Sequence, residues 1–136
     1  MVPEGSFQLD TSALLALRGE ETGADEVERL LRKGERGECL LLASFMTRME
    51  LLYLIRREEG EAAARQALHL IDTFNLEWVS CEPEILETAA LLKAEGGLSV
   101  ADSWIGATAI IRNAVLVHKD PEFTRHKNIP QKFIKS

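Results

Sequence analysis

The sequence lacks the features that mark several large classes of protein. It contains two cysteines, Cys39 and Cys81, and three scattered histidines, which exclude a disulfide framework and a four-ligand zinc site. No apolar run approaches the ~20 residues that a membrane span requires. The first residues also lack the basic and apolar regions of a secretory signal. We therefore expect a cytoplasmic protein that does not associate with membranes.

An excess of positive charge is also missing. The 136 residues carry a net charge of −6, which is unusual for a protein that binds nucleic acid. The charge is unevenly distributed, however, because residues 111–136 contain six basic and two acidic residues. A basic segment on an acidic body can still bind phosphates, since the electric field depends on the local arrangement of charge. A simple solvated surface explains this segment equally well.

Short apolar runs alternate with longer helical patterns along the chain. An apolar fraction of 46% and a charged fraction of 28% are typical of a globular protein, and the length predicts a single domain over residues 1–136. The alternation predicts an α/β fold with right-handed βαβ units and a mostly parallel sheet covered on both faces. Strands are predicted over 7–9, 39–43, 76–80, 114–118 and 132–134, and helices over 12–18, 24–33, 47–59, 61–74, 83–95 and 99–113.

Four acidic residues stand at the ends of predicted strands or in the first turns of predicted helices. They are Asp10, Glu50, Asp102 and Asp120. In open α/β sheets, ligands bind beyond the carboxyl ends of the strands, where the strand order reverses. Each acid also has a structural explanation, as a helix cap or a turn starter. In particular, Thr47 with Glu50 and Ser99 with Asp102 match the capping box.

Taken together, the four acids favour a metal site. Apolar stretches follow Glu50 and Asp102, so we expect both helices to be deeply packed and both carboxylates to lie near the core. A buried carboxylate without a cation is costly, and crowded acids should raise the pKa of at least one of them. Oxygen ligands suit Mg²⁺, with Mn²⁺ as a substitute, and such ions assist phosphoryl chemistry.

Four segments around these acids follow one another in the order of a known family. They are Asp10–Leu15 (DTSALL), Thr47–Leu51 (TRMEL), Leu98–Ala109 (LSVADSWIGATA) and Val117–Phe123 (VHKDPEF). They resemble the motifs of PIN-domain ribonucleases, and the subgroup they resemble most is the VapC-like toxins of type II toxin–antitoxin pairs. The third segment is the most specific of the four.

The resemblance implies a three-layer α/β/α PIN-like fold and Mg²⁺-dependent endoribonuclease activity. It also implies a homodimer and a cognate antitoxin that inhibits the enzyme. The acids expected to hold the metal and catalyse cleavage are Asp10, Glu50, Asp102 and Asp120, supported by Thr11 and Ser12. The groups expected to contact RNA phosphates flank the last acid and are Lys119, Arg125, His126 and Lys127.

The chain departs from the family pattern at a few positions. Gln8 is polar in a strand that is usually apolar, and His118 and Lys119 replace small polar residues. Glu122 stands where a second aspartate is common and is not included in the predicted site.

Two other functions are alternatives, and the second fits the sequence less well than the first. A non-catalytic PIN-like module for protein contacts would have the same fold without needing a bound metal. A phosphohydrolase of the haloacid-dehalogenase type needs a second aspartate two positions after the first, where this chain has Ser12.

Overall fold

The structure is a computed structural model that describes residues 5–134. Its strands are β1 (Ser6–Leu9), β2 (Leu40–Ser44), β3 (Glu77–Val79), β4 (Val115–His118) and β5 (Gln131–Phe133). Its helices are α1 (Thr11–Arg18), α2 (Ala24–Glu35), α3 (Phe45–Glu59), α4 (Glu61–Ile71), α5 (Pro83–Glu95) and α6 (Val100–Arg112), followed by a short 3₁₀ helix, Pro121–Arg125.

The strands form one parallel sheet in the order β3-β2-β1-β4-β5. The chain runs outward from β1 to β3 on one side, and then crosses back to β4 on the other side of β1. The strand order therefore reverses between β1 and β4, which is where an open α/β sheet places its ligand site.

Neighbouring residues of one strand face opposite layers of helices, because side chains alternate across a sheet. Leu41 and Val117 pack in the core shared with α1–α4, whereas Leu42 and Leu116 pack in the core shared with α5 and α6. Each fully buried side chain of this kind contributes about 1.5–3 kcal/mol. The predicted three-layer α/β/α architecture is confirmed.

Helix α3 begins two residues before the predicted start, and Thr47 does not cap it. Ser44 is the cap, since its hydroxyl accepts the backbone N–H of Met46 at 3.1 Å. Thr47 is fully buried, and its hydroxyl lies 3.1 Å from that of Thr11. The predicted capping box is therefore wrong, and Glu50 lies in the second turn of α3.

The prediction that both helices are deeply packed is confirmed for α6 but wrong for α3. Most side chains of α6 between Ser103 and Ala109 are buried. In α3 the apolar side chains of Met49 and Tyr53 are 49% and 43% exposed. The difference arises because α6 is covered by the sheet and α5, whereas α3 turns one face to solvent.

Cys39 is buried and Cys81 is exposed. Within residues 5–134, no helix combines the length and the apolar character needed to span a membrane.

Candidate metal centre

Asp10 lies directly after β1, beside the end of β4. Its backbone N–H donates to the carbonyl of Val117 at 3.1 Å, and its side chain is only 3% exposed. The carboxylate caps α1, because Oδ2 accepts both the backbone N–H and the hydroxyl of Ser12. The same hydroxyl accepts the backbone N–H of Lys119 at 2.9 Å. Ser12 thus joins the ends of the two strands at the point where the strand order reverses.

Glu50 reaches this end of the sheet from α3. The hydroxyl of Thr11 donates to Glu50 Oε1 at 2.7 Å and lies 3.1 Å from the hydroxyl of Thr47. A hydroxyl has a single proton, so Thr47 donates to Thr11 while Thr11 donates to the carboxylate. These two threonines fix one oxygen of Glu50 and leave Oε2 for other partners.

Asp102 enters from the first turn of α6. Ser99 caps this helix as predicted, since its hydroxyl accepts the backbone N–H of Asp102 at 3.1 Å. The Asp102 side chain is half-buried, and the charges of Asp10 and Asp120 act on it. Its position at the positive end of a helix favours a negative charge there, which offsets part of the cost of burying it.

Asp120 completes the set after β4. It caps the 3₁₀ helix, with Oδ1 accepting the backbone N–H of Glu122 at 3.0 Å. Carboxylate oxygens of Asp102, Asp120 and Glu122 lie within 4.8 Å of one another, close enough to share one cation. Glu122 is not among the predicted site residues, but the structure places its carboxylate close to those of Asp102 and Asp120. The signal that could have found it is its spacing, since one 3₁₀ turn places it beside Asp120.

Two of the acids are strongly perturbed. Burial raises the pKa of Asp102 from 3.8 to about 7, and repulsion from Asp10, Asp120 and Glu50 adds to the effect. Burial also raises the pKa of Asp10 to about 6, although hydrogen bonds from Ser12 oppose it. The predicted rise is confirmed, but its main cause is loss of hydration rather than mutual repulsion. The charges of the other three predicted acids, Asp10, Asp120 and Glu50, therefore all act on Asp102.

These residues fit a hard divalent cation. Among the described residues, Asp10 Oδ1 has no hydrogen-bond partner although it is buried. A buried carboxylate oxygen without a partner is unfavourable unless a cation or water meets it. An all-oxygen set of carboxylates is the donor chemistry of Mg²⁺ and Mn²⁺. The site therefore offers what such an ion requires, at the place where the fold favours a ligand.

The predicted basic residues border the acids on one side. Lys119 follows β4, and its ammonium lies 3.8 Å from a carboxylate oxygen of Glu21. Arg125 and Lys127 are exposed on the segment that follows Glu122, and His126 between them is half-buried. These basic residues therefore lie close to Asp120 and Glu122 in the sequence.

Sequence reasoning also missed a buried contact behind Asp120. The side chain of His118 is fully buried, and its Nδ1 accepts the backbone N–H of Asp120 at 3.1 Å. Its Nε2 lies 2.9 Å from Gln131 Oε1. Burial lowers the pKa of His118 below its usual value of 6.5, which favours the neutral ring.

The fold and the site together define a three-layer α/β/α protein with carboxylates grouped where its strand order reverses. The PIN domain family model matches residues 8–129, nearly the whole chain, and the protein belongs to the PIN domain family. A comparison with curated protein sequences gives no match.

Several solved structures share the fold at low sequence identity. A VapBC2 structure from Rickettsia felis, bound to promoter DNA, is 18% identical with a TM-score of 0.78, covering 96% of this chain and 99% of that one. A DNA-bound VapBC structure from Salmonella typhimurium is 19% identical with a TM-score of 0.75, covering 99% and 100%. The VapC20 toxin of Mycobacterium tuberculosis, described as cleaving the sarcin–ricin loop, is 17% identical with a TM-score of 0.69, covering 88% and 94%.

Proposed function

We propose that the protein is a Mg²⁺-dependent endoribonuclease and the toxin of a toxin–antitoxin pair, acting as a single domain. The observation that carries the proposal is that Asp10, Glu50 and Asp120 all act electrostatically on Asp102, while a buried oxygen of Asp10 lacks a hydrogen-bond partner among residues 5–134. Membership of the PIN domain family and the fold shared with VapBC proteins support the same chemistry.

The acids divide into two roles in this proposal. Asp10, Asp102 and Asp120 would hold the metal, and Glu122 would join them through the carboxylate oxygen that lies near Asp102 and Asp120. A bound divalent cation neutralises charge on the phosphate and lowers the pKa of a water molecule.

Glu50 is the proton acceptor, because Thr11 fixes its Oε1 and leaves Oε2 to take a proton from the attacking water. As the water oxygen bonds to phosphorus, the phosphorus–oxygen bond to the next nucleotide breaks. The departing oxygen takes its proton from solvent.

The substrate is unpaired RNA, whose splayed bases suit a shallow cleft. Lys119, Arg125, His126 and Lys127 lie beside the acids and contact the RNA phosphates, which positions the strand without reading its sequence. These cations also offset the repulsion between RNA and an acidic protein.

We further propose that the protein forms a homodimer in the cytoplasm and is inhibited there by a cognate antitoxin. Several neighbours in structure are VapBC complexes, which supports an antitoxin partner. The exposed apolar side chains of Met49 and Tyr53 on α3 offer a surface for one of these contacts.

Cleavage of single-stranded RNA in Mg²⁺ and in EDTA tests the proposal. Asp10→Asn and Asp102→Asn should each lower the rate at least about 100-fold, as loss of a group that stabilises transition-state charge does. Asp72→Asn is the matched control, because Asp72 pairs with Arg48 at the surface, and it should cleave normally. Normal cleavage by both site variants, or equal cleavage in EDTA, would refute the proposal. Absence of Mn²⁺ uptake would indicate a binding module instead.

A further inference from the structure

A buried histidine, His118, is the last residue of β4 and stands two positions before Asp120. The side chain of His118 on β4 is fully buried, with its ring centroid 5.1 Å from that of Phe123 and 5.5 Å from that of Phe133. A buried polar ring is costly unless both nitrogens find partners. The hydrogen-bond partners of the two ring nitrogens therefore explain why a polar ring is stable in this core.

The first partner is Gln131, whose amide can point in only one direction. Its Nε2 lies 2.8 Å from the carbonyl of Phe123, 3.0 Å from that of His126 and 3.3 Å from that of Ile129. Carbonyls only accept, so the amino group must face them. Gln131 Oε1 is then left facing His118 Nε2 at 2.9 Å and can only accept.

This geometry fixes the proton on the imidazole. Because Gln131 Oε1 accepts, Nε2 of His118 must carry the hydrogen. Nδ1 of the neutral ring is then a lone-pair acceptor, and it meets the backbone N–H of Asp120 at 3.1 Å. One chain of hydrogen bonds thus runs from the carbonyls of the 121–129 segment, through Gln131 and His118, to the backbone of Asp120.

This series of hydrogen bonds ends at Asp120, whose other polar groups also have hydrogen-bond partners. Oδ1 of Asp120 accepts the backbone N–H of Glu122, and its carbonyl accepts that of Phe123. Among residues 5–134, Oδ2 of Asp120 accepts no hydrogen bond, so it is the oxygen of this carboxylate that is free to bind a cation. Partners that orient ligand residues typically change metal affinity by about 10–100-fold.

We propose that His118 and Gln131 are positioning residues that hold Asp120, and through it Glu122, in the geometry that binds the divalent cation. The proposal rests on the proposed metal-dependent function. It differs from simple core filling, since an apolar residue of similar size would pack between the two phenylalanines but would leave the N–H of Asp120 without a partner.

The first test measures the tautomer in the metal-free wild-type protein by long-range ¹H–¹⁵N NMR. We expect a neutral His118 ring protonated on Nε2. A ring protonated on Nδ1, or on both nitrogens at neutral pH, would overturn the proposal whatever the enzyme does.

The second test compares four variants by Mn²⁺ titration with electron paramagnetic resonance and by amide exchange at Asp120. His118→Leu and Gln131→Met should weaken Mn²⁺ binding by about 10-fold and speed Asp120 exchange. His118→Asn should restore protection and most of the affinity, because an asparagine can accept the N–H two residues on. Ile129→Val removes a buried methylene from the same loop but none of these bonds, and should change neither quantity.

The outcomes separate this inference from the proposed function. If the wild-type protein takes up no Mn²⁺, the proposed function fails. Amide exchange at Asp120 then still decides whether His118 and Gln131 hold the backbone N–H of Asp120. If the protein binds Mn²⁺ and all four variants match it, the positioning role is refuted. Faster exchange with unchanged affinity would also refute it. Should His118→Leu not fold, Gln131→Met and the tautomer measurement decide.

Discussion

Replacing Asp102 by asparagine should stabilise the metal-free protein, although the side chain lies at the proposed centre of activity. Burial and three neighbouring acids raise the pKa of Asp102 from 3.8 to about 7. The folded protein therefore keeps a proton that the unfolded chain has released, and stability falls as the pH rises between these two values. An asparagine has nearly the same shape and no charge to bury.

The size of the effect follows from the pKa. At about 1.4 kcal/mol for each pKa unit, the rise from 3.8 to about 7 sets an upper bound of about 4 kcal/mol on the cost of ionising Asp102 in the folded protein, and solvent that reaches the half-buried side chain makes the real cost smaller. Asp102→Asn should therefore raise the free energy of unfolding at pH 8 by only part of this bound. It should raise it by almost nothing at pH 4, where the folded wild-type side chain is already neutral.

Urea denaturation in EDTA at both pH values measures the difference. Asp72→Asn is the control, because Arg48 lowers the pKa of Asp72 and the variant loses an exposed ion pair. That pair contributes about 0–1 kcal/mol, so the control should be slightly less stable at pH 8. A variant Asp102→Asn that is no more stable than wild type at pH 8, or that gains equally at both pH values, would refute the reasoning.

Three further perturbations test two of the predicted RNA-binding residues, a buried polar side chain and the metal centre in turn. Lys119→Ala combined with Arg125→Ala should weaken binding of single-stranded RNA. The slope of log affinity against log salt should fall by about 0.7 for each phosphate that the protein no longer neutralises. An unchanged slope in a fluorescence titration would show that the RNA binds elsewhere on the protein. Gln8→Met should raise the free energy of unfolding by up to about 1 kcal/mol. The reason is that Gln8 Oε1 is buried without a partner among residues 5–134, and only Nε2 makes a hydrogen bond, to the carbonyl of Ile105. A clear loss of stability in chemical denaturation would show that this hydrogen bond outweighs the unpaired oxygen. Saturating Mn²⁺ at 100 times its dissociation constant should stabilise the wild-type protein by about 2.7 kcal/mol in a thermal melt and leave Asp102→Asn nearly unchanged; equal shifts would place the ion at another site.

The location of the acids was predictable because it follows from topology. A residue directly after a parallel strand lies at the carboxyl edge of the sheet, so Asp10 and Asp120 had to approach each other once β1 and β4 were neighbours. The apolar runs that form β2 and β4 are long enough to be recognised without knowing their partners. The family motifs then indicated Glu50 and Asp102 on the helices that cross this edge.

Two parts of the site were not predictable from local sequence. A serine and a threonine stand three positions apart at the start of α3; Ser44 caps the helix, whereas Thr47 is used in a tertiary contact with Thr11. The contact between His118 and Gln131 joins residues 13 positions apart, and it forms only because β5 pairs beside β4. Periodicity and spacing carry no information about such side-chain contacts.

Anomalous diffraction from crystals soaked in Mn²⁺ tests most directly whether the carboxylates form a metal centre. We predict a peak within coordination distance of the carboxylates of Asp10, Asp102 and Asp120, and its loss in crystals of Asp102→Asn. A peak that avoids these oxygens, or one that persists unchanged in the variant, would contradict a metal centre at this end of the sheet.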